Sequence, residues 1–250
     1  MLRFLEEWMW LILYENLIMS KNVQYQMQDI SKKVIIFGIG EFAEIIHLYL
    51  SESKEFNVVG FTVHKEFLTS DKFQNLPVIP FETISDIFPT GDFYMFVALG
   101  YTDNNKKRER IFNQVKNKGY TCISYAHPSN IISKNFKFGE NCFIFENNII
   151  QPYVELGNNV IIWSNNIISH HTIIKDNCFI VSNVAIAGHV NLGKNCFLGI
   201  SSTVRNGISI GEECVIGAGV VILDNTNNNE VYIHKGTEKL NISSNSLKKL

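Results

Sequence analysis

From Ile132 to Ile222 an aliphatic or aromatic residue stands at every sixth position: Ile132, Phe138, Ile144, Ile150, Leu156, Ile162, Ile168, Ile174, Ile180, Ile186, Leu192, Leu198, Val204, Ile210, Ile216 and Ile222. A period of six matches neither an amphipathic helix nor an alternating strand. It fits a solenoid in which each hexad forms one short flat side and three hexads close a triangular turn. Residues 18 apart then lie above one another at the strand spacing of about 4.8 Å. The repeat therefore predicts which side chains meet.

The chain ahead of the repeat has a different rhythm. Val34–Phe37 (VIIF) is a buried-strand signal, and it runs into Gly38-Ile-Gly-Glu-Phe-Ala43 and a helical stretch through Leu50. Asn57–Val63 and Phe93–Leu99 read as further strands, the latter ending at Gly100 and followed by a charged helix from Asn104 to Lys118. Strand–helix alternation predicts a parallel sheet with ligands at the strand carboxyl ends. GxGxxA after a first strand lets backbone approach a pyrophosphate at a helix N-terminus. An NAD site also wants an acid at the end of the second strand. Here that neighbourhood reads Gly60-Phe-Thr-Val-His64, so NAD is not expected. A nucleotide-sugar pyrophosphate needs the glycines without the acid, and a tight turn with no ligand is the alternative. Gly100 is expected to form the second wall of this cleft.

Two columns of the repeat carry more than apolar filler. In one the hexads read FGENCF, LGNNVI, IKDNCF, LGKNCF and IGEECV. Asn141, Asn159, Asn177 and Asn195 suit left-handed corners. Cys142, Cys178, Cys196 and Cys214 share an inward column with Val160, where small apolar groups fit. In the other the hexads read IQPYVE, ISHHTI, IAGHVN, VRNGIS and ILDNTN. The 18-residue rule sets Gly188 over His170 and His189 over His171. Histidines clustered on one face otherwise built from Asn, Ser and Gly point to proton handling.

Composition narrows the picture. The 250 residues carry a net charge of −2, with acids and bases mixed along the chain, which argues against a nucleic-acid groove or a polybasic membrane surface. Sixteen hexads leave about 130 residues before them, so two domains are expected: an extension over 1–30, an α/β domain over 31–129, the repeat over 130–223 and a cap or tail over 224–250. The first twenty residues are apolar, but Glu6, Glu7 and Glu15 interrupt them, so no membrane span or signal peptide is expected. The cysteines lack the company and spacing of a metal site, and a reduced, cytoplasmic protein follows.

The hexads resemble those of the left-handed β-helix acyltransferases. Residues 34–222 resemble the subgroup with a small nucleotide-sugar-binding domain in front, which includes the sialic acid O-acetyltransferases and the PglD-like UDP-4-amino-sugar N-acetyltransferases. The matching stretches are Ile35-Ile-Phe-Gly-Ile-Gly40, Val97-Ala-Leu-Gly100, Ser124–Ser133 (SYAHPSNIIS) and Asn195–Ile200 (NCFLGI). The resemblance implies a Rossmann-like α/β domain followed by an all-β left-handed parallel β-helix, assembled as a homotrimer with active sites between subunits. It places the family's basic histidine on His170 in Ser169-His170-His171-Thr172. The position after it, usually an acid, is His171, and a second family histidine falls on Phe179, with His189 as a candidate substitute.

The same resemblance implies direct acyl transfer from acetyl-CoA, with no metal and no NAD. His170 is expected to take the acceptor's proton, with His171 beside it and the Gly188 N–H stabilising the oxyanion. Gly188, Gly199, Ile200, Gly217 and Ala218 fall on CoA-binding positions. Gly38, Gly40, Glu41, Phe42 and Gly100 fall on the nucleotide-sugar site. The expected activity is N-acetylation of a nucleotide-activated amino sugar for surface glycan assembly. O-acetylation of a sialic-acid-like sugar, transfer of another acyl group and a non-catalytic scaffold are the alternatives.

Overall fold

A computed structural model describes residues 31–246, so the expected extension over residues 1–30 lies outside the described residues. The front domain runs β1 (Lys32–Phe37), α1 (Glu41–Glu52), β2 (Phe56–Val63), β3 (Lys72–Phe73), β4 (Leu76–Pro80), α2 (Ile84–Ile87), β5 (Tyr94–Val97) and α3 (Lys106–Asn117). Its sheet has the order β3-β4-β2-β1-β5, with only the edge pair β3–β4 antiparallel. Central β1 is covered on both faces. This is why Val34, Ile35 and Ile36 are all apolar rather than alternating, and all fully buried. Helix α1 turns Ala43, Ile46 and Leu50 onto the sheet, at the i, i+3, i+7 spacing of one helical face.

The repeat forms a triangular coil of two-residue strands. Its front face stacks Tyr125–Ala126, Phe143–Ile144, Ile161–Ile162, Phe179–Ile180, Phe197–Leu198, Val215–Ile216 and Val231–Tyr232. A second, apolar face stacks Ile131–Ile132, Ile149–Ile150, Ile167–Ile168, Ala185–Ile186, Thr203–Val204 and Val221–Ile222. A third, more polar face stacks Glu155–Leu156, Ile173–Ile174, Asn191–Leu192 and Ser209–Ile210. Partners are 18 apart on every face, as in Ile161↔Phe179, Ile167↔Ala185 and Ile173↔Asn191. The second residue of each pair points inward and makes the core with the buried cysteine column. Phe138 departs from the rule: it lies outside a strand, is 42% exposed and stacks on Phe136, which packs against the core instead.

The asparagine corners take the expected left-handed backbone, with φ of 55°, 59°, 65° and 58° at Asn141, Asn159, Asn177 and Asn195. Their side chains form a one-way ladder. Asn141 Nδ2 donates to Asn159 Oδ1 (2.8 Å), Asn159 to Asn177 (2.8 Å), Asn177 to Asn195 (3.2 Å) and Asn195 to Glu109 Oε2 (2.8 Å). The five described cysteines are free and buried.

The front domain lies against a side of the coil, not over its end. Phe143, Ile161 and Phe179 on the front face share one core with Val34, Ala43, Phe61 and Phe96. Arg108 of α3 is fully buried at this contact. Its guanidinium donates to Asn159 O, Asn177 O and Cys178 O on the coil, and to Gly100 O and the Asn105 side chain. Burial pushes the guanidinium down to about 10. The Tyr49 hydroxyl donates to Glu146 across the same interface. At the far end, Val231–Tyr232 pairs with Val215–Ile216 and makes the last rung.

Candidate active site at a histidine corner

The corner between the apolar and third faces carries Tyr153, His171, His189 and Gly207 in one vertical column. All four have left-handed φ, at 65°, 58°, 58° and 75°. Successive rungs hold this column in register: His171 N donates to Pro152 O (3.2 Å), His189 N to His170 O (2.9 Å) and Gly207 N to Gly188 O (2.9 Å). The side chains therefore stack. The Tyr153 and His171 rings are 4.8 Å apart, and His171 and His189 are 4.9 Å apart and within 12° of parallel.

One residue earlier in each hexad stand Pro152, His170, Gly188 and Asn206. The His170 backbone is held by Gln151, whose Oε1 accepts from His170 N at 3.0 Å. Its exposed ring rises against Gly188: a Cβ built there would sit 2.8 Å from His170 Cε1 and 2.9 Å from Nε2. Only a glycine leaves the ring this position. The Gly188 N–H takes part in no hydrogen bond within the described residues, although Ala187 N and His189 N on either side both bond neighbouring rungs. An imidazole and an unengaged backbone donor thus share one crevice. On the other edge of the ring, His170 Nδ1 is 3.2 Å from His171 Nδ1. His171 thus stands where the resemblance places an acid, with its Nδ1 turned toward that of His170. Gln151, Tyr153 and Asn206, whose amide nitrogen donates to Gly188 O at 2.9 Å, complete the corner. The sequence alone does not single out these three; carrying the 18-residue rule one rung further down from Ser169 and His171 and one rung up from Gly188 would have reached them.

The residues expected at the sugar-nucleotide cleft gather at the carboxyl end of the front sheet. Gly38 has φ +128°, and a Cβ there would come within 2.9 Å of Ala98 O, so the turn requires glycine. Gly40 caps α1 without a side-chain hydrogen bond and opens to free space, leaving the first N–H groups of the helix facing outward. Glu41 is exposed there. The Phe42 side chain goes elsewhere: its ring packs on Phe145, Trp163 and Phe179 of the coil. Gly100 lies half-buried at the far wall. His64, in the place of the missing acid, bonds Glu82 (3.0 Å) and Gln114 (2.9 Å).

Of the residues on the expected CoA-binding positions, Gly188 lies at the histidine corner and the other four occupy a third location. Gly199 and Gly217 stack at the corner between the front and apolar faces. A Cβ on Gly199 would meet Ala218 N at 2.7 Å, so rung packing alone demands glycine. Ile200 and Ala218 are exposed beside them. The structure thus brings His170, His171, Gly188 and His189 together within one chain. It sets the cleft and the Gly199 corner apart from them, because the front domain lies on the face opposite the histidine corner.

Residues 33–115 match the PglD N-terminal domain family, and residues 189–224 match the hexapeptide repeat of succinyl-transferase. No curated protein matches the chain. The acetyltransferase domain of PglB from Neisseria gonorrhoeae, in complex with acetyl coenzyme A, is similar in structure (TM-score 0.70, 18% identity) over 80% of this chain and 95% of that one. A mutant of perosamine N-acetyltransferase from Caulobacter crescentus, in complex with CoA and GDP-perosamine, is similar with a TM-score of 0.72 and 23% identity. That match covers 82% of this chain and 97% of the other. PerB from the same organism gives 0.69 and 22% over 80% and 92%. The chain therefore joins a Rossmann-like domain that matches the PglD N-terminal domain family to a left-handed parallel β-helix of hexapeptide repeats, the fold of the acetyltransferase structures to which it is similar.

Proposed function

We propose that the protein transfers an acetyl group from acetyl-CoA to the amino group of a nucleotide-activated amino sugar. The observation that carries this reading is the His170 imidazole lying against Gly188, whose N–H is unengaged, on an exposed corner. His170 Nε2 takes a proton from the acceptor amine as its nitrogen attacks the thioester carbonyl. The Gly188 N–H donates to the oxyanion that forms. Collapse of the tetrahedral intermediate breaks the C–S bond, and the proton on His170 passes to the departing CoA thiolate. The similar structures support the substrates, since they hold acetyl-CoA, or CoA with GDP-perosamine.

The reading needs more than one chain. The outward column of the apolar face is Ile131, Ile149, Ile167, Ala185, Thr203 and Val221, and its four large aliphatics are 67%, 37%, 45% and 58% exposed. Burying such a column against copies of itself is favourable at roughly 25 cal/mol per Å². Three coils with this face toward a common axis set the histidine corner of one against the Gly199 corner and front domain of the next. Gly199, Ile200, Gly217 and Ala218 then border the CoA path, and Gly38, Gly40, Glu41, Phe42 and Gly100 the sugar-nucleotide cleft, both facing the partner's histidines. Among the described residues no helix is long and apolar enough to cross a membrane, and the buried free thiols suit the cytoplasm.

Acetyl-CoA mixed with a panel of nucleotide-linked amino sugars tests the proposal, with the acetylated product read by mass spectrometry. Product formed on an amine, lost in His170→Ala, supports it. Product only on the hydroxyl of a free sialic acid moves the acceptor to an O-linked sugar, and CoA binding without product on any acceptor overturns the enzymatic reading.

A further inference from the structure

We propose that His170, His171 and His189 form a binding site for a divalent transition-metal ion of the zinc class, and that its occupation blocks acetyl transfer. The three imidazoles each offer a ring nitrogen, and these atoms all lie within 4.8 Å of one another on an exposed corner. Neutral imidazoles without a carboxylate select zinc, nickel, copper or cobalt over magnesium and calcium. One edge is already close to its bound length. With Zn–N bonds of about 2.0–2.1 Å, two nitrogens of a tetrahedral site lie about 3.3 Å apart. His170 Nδ1 and His171 Nδ1 are 3.2 Å apart, and without an ion only one of them carries the proton between them.

His189 closes the site by a side-chain rotation. Its ring now stacks on His171, so its lone pair runs beside that of His171 and does not yet converge with it. The side chain is exposed, and drawing its nitrogen in by about 1.5 Å needs no backbone change. The backbone beneath is fixed by the rung bonds from His171 N to Pro152 O and from His189 N to His170 O. The fourth position faces solvent and takes water or chloride.

An ion on His170 Nδ1 takes that nitrogen's lone pair and so leaves the neutral ring's one proton on Nε2, which still lies against Gly188 but has no lone pair left to accept the proton of an acceptor. This inhibitory half rests on His170 being the base of the proposed reaction; the binding half does not.

Tag-free protein, stripped with a chelator, is titrated with Co2+ and read by its visible d–d absorption, then with Zn2+ in competition. Acetylated product is measured by mass spectrometry, because zinc binds the CoA thiol. The expected result is one ion per chain, weakened more than about tenfold in His171→Asn and in His189→Asn, with zinc inhibition that a chelator reverses. Affinity unchanged by both substitutions, or no ion bound at about 1 mM, overturns the site. Binding lost in both variants while zinc leaves wild-type turnover intact keeps the site and overturns both the inhibition and the assignment of His170 as base.

Discussion

Gly188→Ala isolates the contact on which the mechanism depends. The φ of Gly188 lies outside the left-handed region, so alanine meets no backbone penalty there. Its methyl would lie 2.8 Å from His170 Cε1 and 2.9 Å from Nε2, with the Asn206 amide at 3.1 Å, where ordinary contact begins at 3.4 Å. The His170 ring must therefore retreat by about 0.6 Å or swing away. A misplacement approaching 1 Å costs on the order of 10²-fold in rate, about 2.7 kcal/mol of barrier. The folded state loses little, about 1 kcal/mol or less, because what yields is the end of an exposed side chain. Gly199→Ala is the contrast: there the methyl meets the backbone of Ala218 and Gly217 at 2.7 and 2.8 Å, so it strains the rung itself. Steady-state kinetics with acetyl-CoA and an accepted sugar, beside thermal melts, separate the two effects. Gly188→Ala is expected to lower kcat/KM about 100-fold with a nearly unchanged Tm, and Gly199→Ala to lower Tm by several degrees. A Gly188→Ala enzyme within about threefold of wild type would refute the placement of the reaction at this crevice.

His170→Ala should reduce kcat by about 10²–10⁴ while CoA still binds, measured by single-turnover assay and calorimetry; retained turnover would remove it as the base. Ile167→Lys, in the middle of the exposed apolar column, should convert the proposed trimer to monomer in light scattering and abolish turnover without changing the circular dichroism spectrum. Arg108→Met strips donors from Asn159 O, Asn177 O and Cys178 O and should cost about 2–4 kcal/mol, a Tm drop of roughly 5–10 °C. Arg108→Lys should not restore it, because an ammonium cannot span the same acceptors. Burial works to raise the Glu146 carboxyl, but the Tyr49 and Ser164 hydroxyls outweigh it and hold the group below its usual value of 4.5. Its stabilisation is present above that value and lost as pH falls through the folded one, so wild-type Tm should fall more steeply in acid than that of Glu146→Gln.

The coil was legible because its period sets its register. Once Ile132 and Ile222 are counted in sixes, Gly188 must stand over His170 and His189 over His171, and the structure places them so. Phe138 obeyed the count and still missed the core, because the first coil is irregular: next to it only Lys137 makes a single bridge to Glu155, and Phe136 turns toward the core instead. The docking of the front domain was hidden. Arg108 sits in the run Lys106-Lys-Arg-Glu-Arg110, which looks like a solvated helix face. The available signal was spacing, since Arg108 shares one face with the buried Ile111, Phe112 and Val115. Phe42 was hidden for a similar reason: a residue in the first turn of α1 suggests a phosphate contact through its backbone, and nothing local tells that its ring seals against Trp163. The approach of the two Nδ1 atoms depends on side-chain torsions that a repeat count does not contain.

The asparagine ladder has both its ends in the front domain. It begins where Val97 N donates to Asn141 Oδ1 at 2.7 Å and finishes where Asn195 reaches Glu109. Four rungs thus act as a gauge block wedged between a strand end and a helix. An extra 18-residue turn spliced between Asn141 and Asn195 would keep the coil intact yet push one anchor off its mark by a full strand spacing, about 4.8 Å. The same turn added beyond Glu213, which Asn104 and Lys106 also tie to the front domain, disturbs neither. Lengthening of this protein is therefore tolerated toward its carboxyl end and resisted beside the front domain.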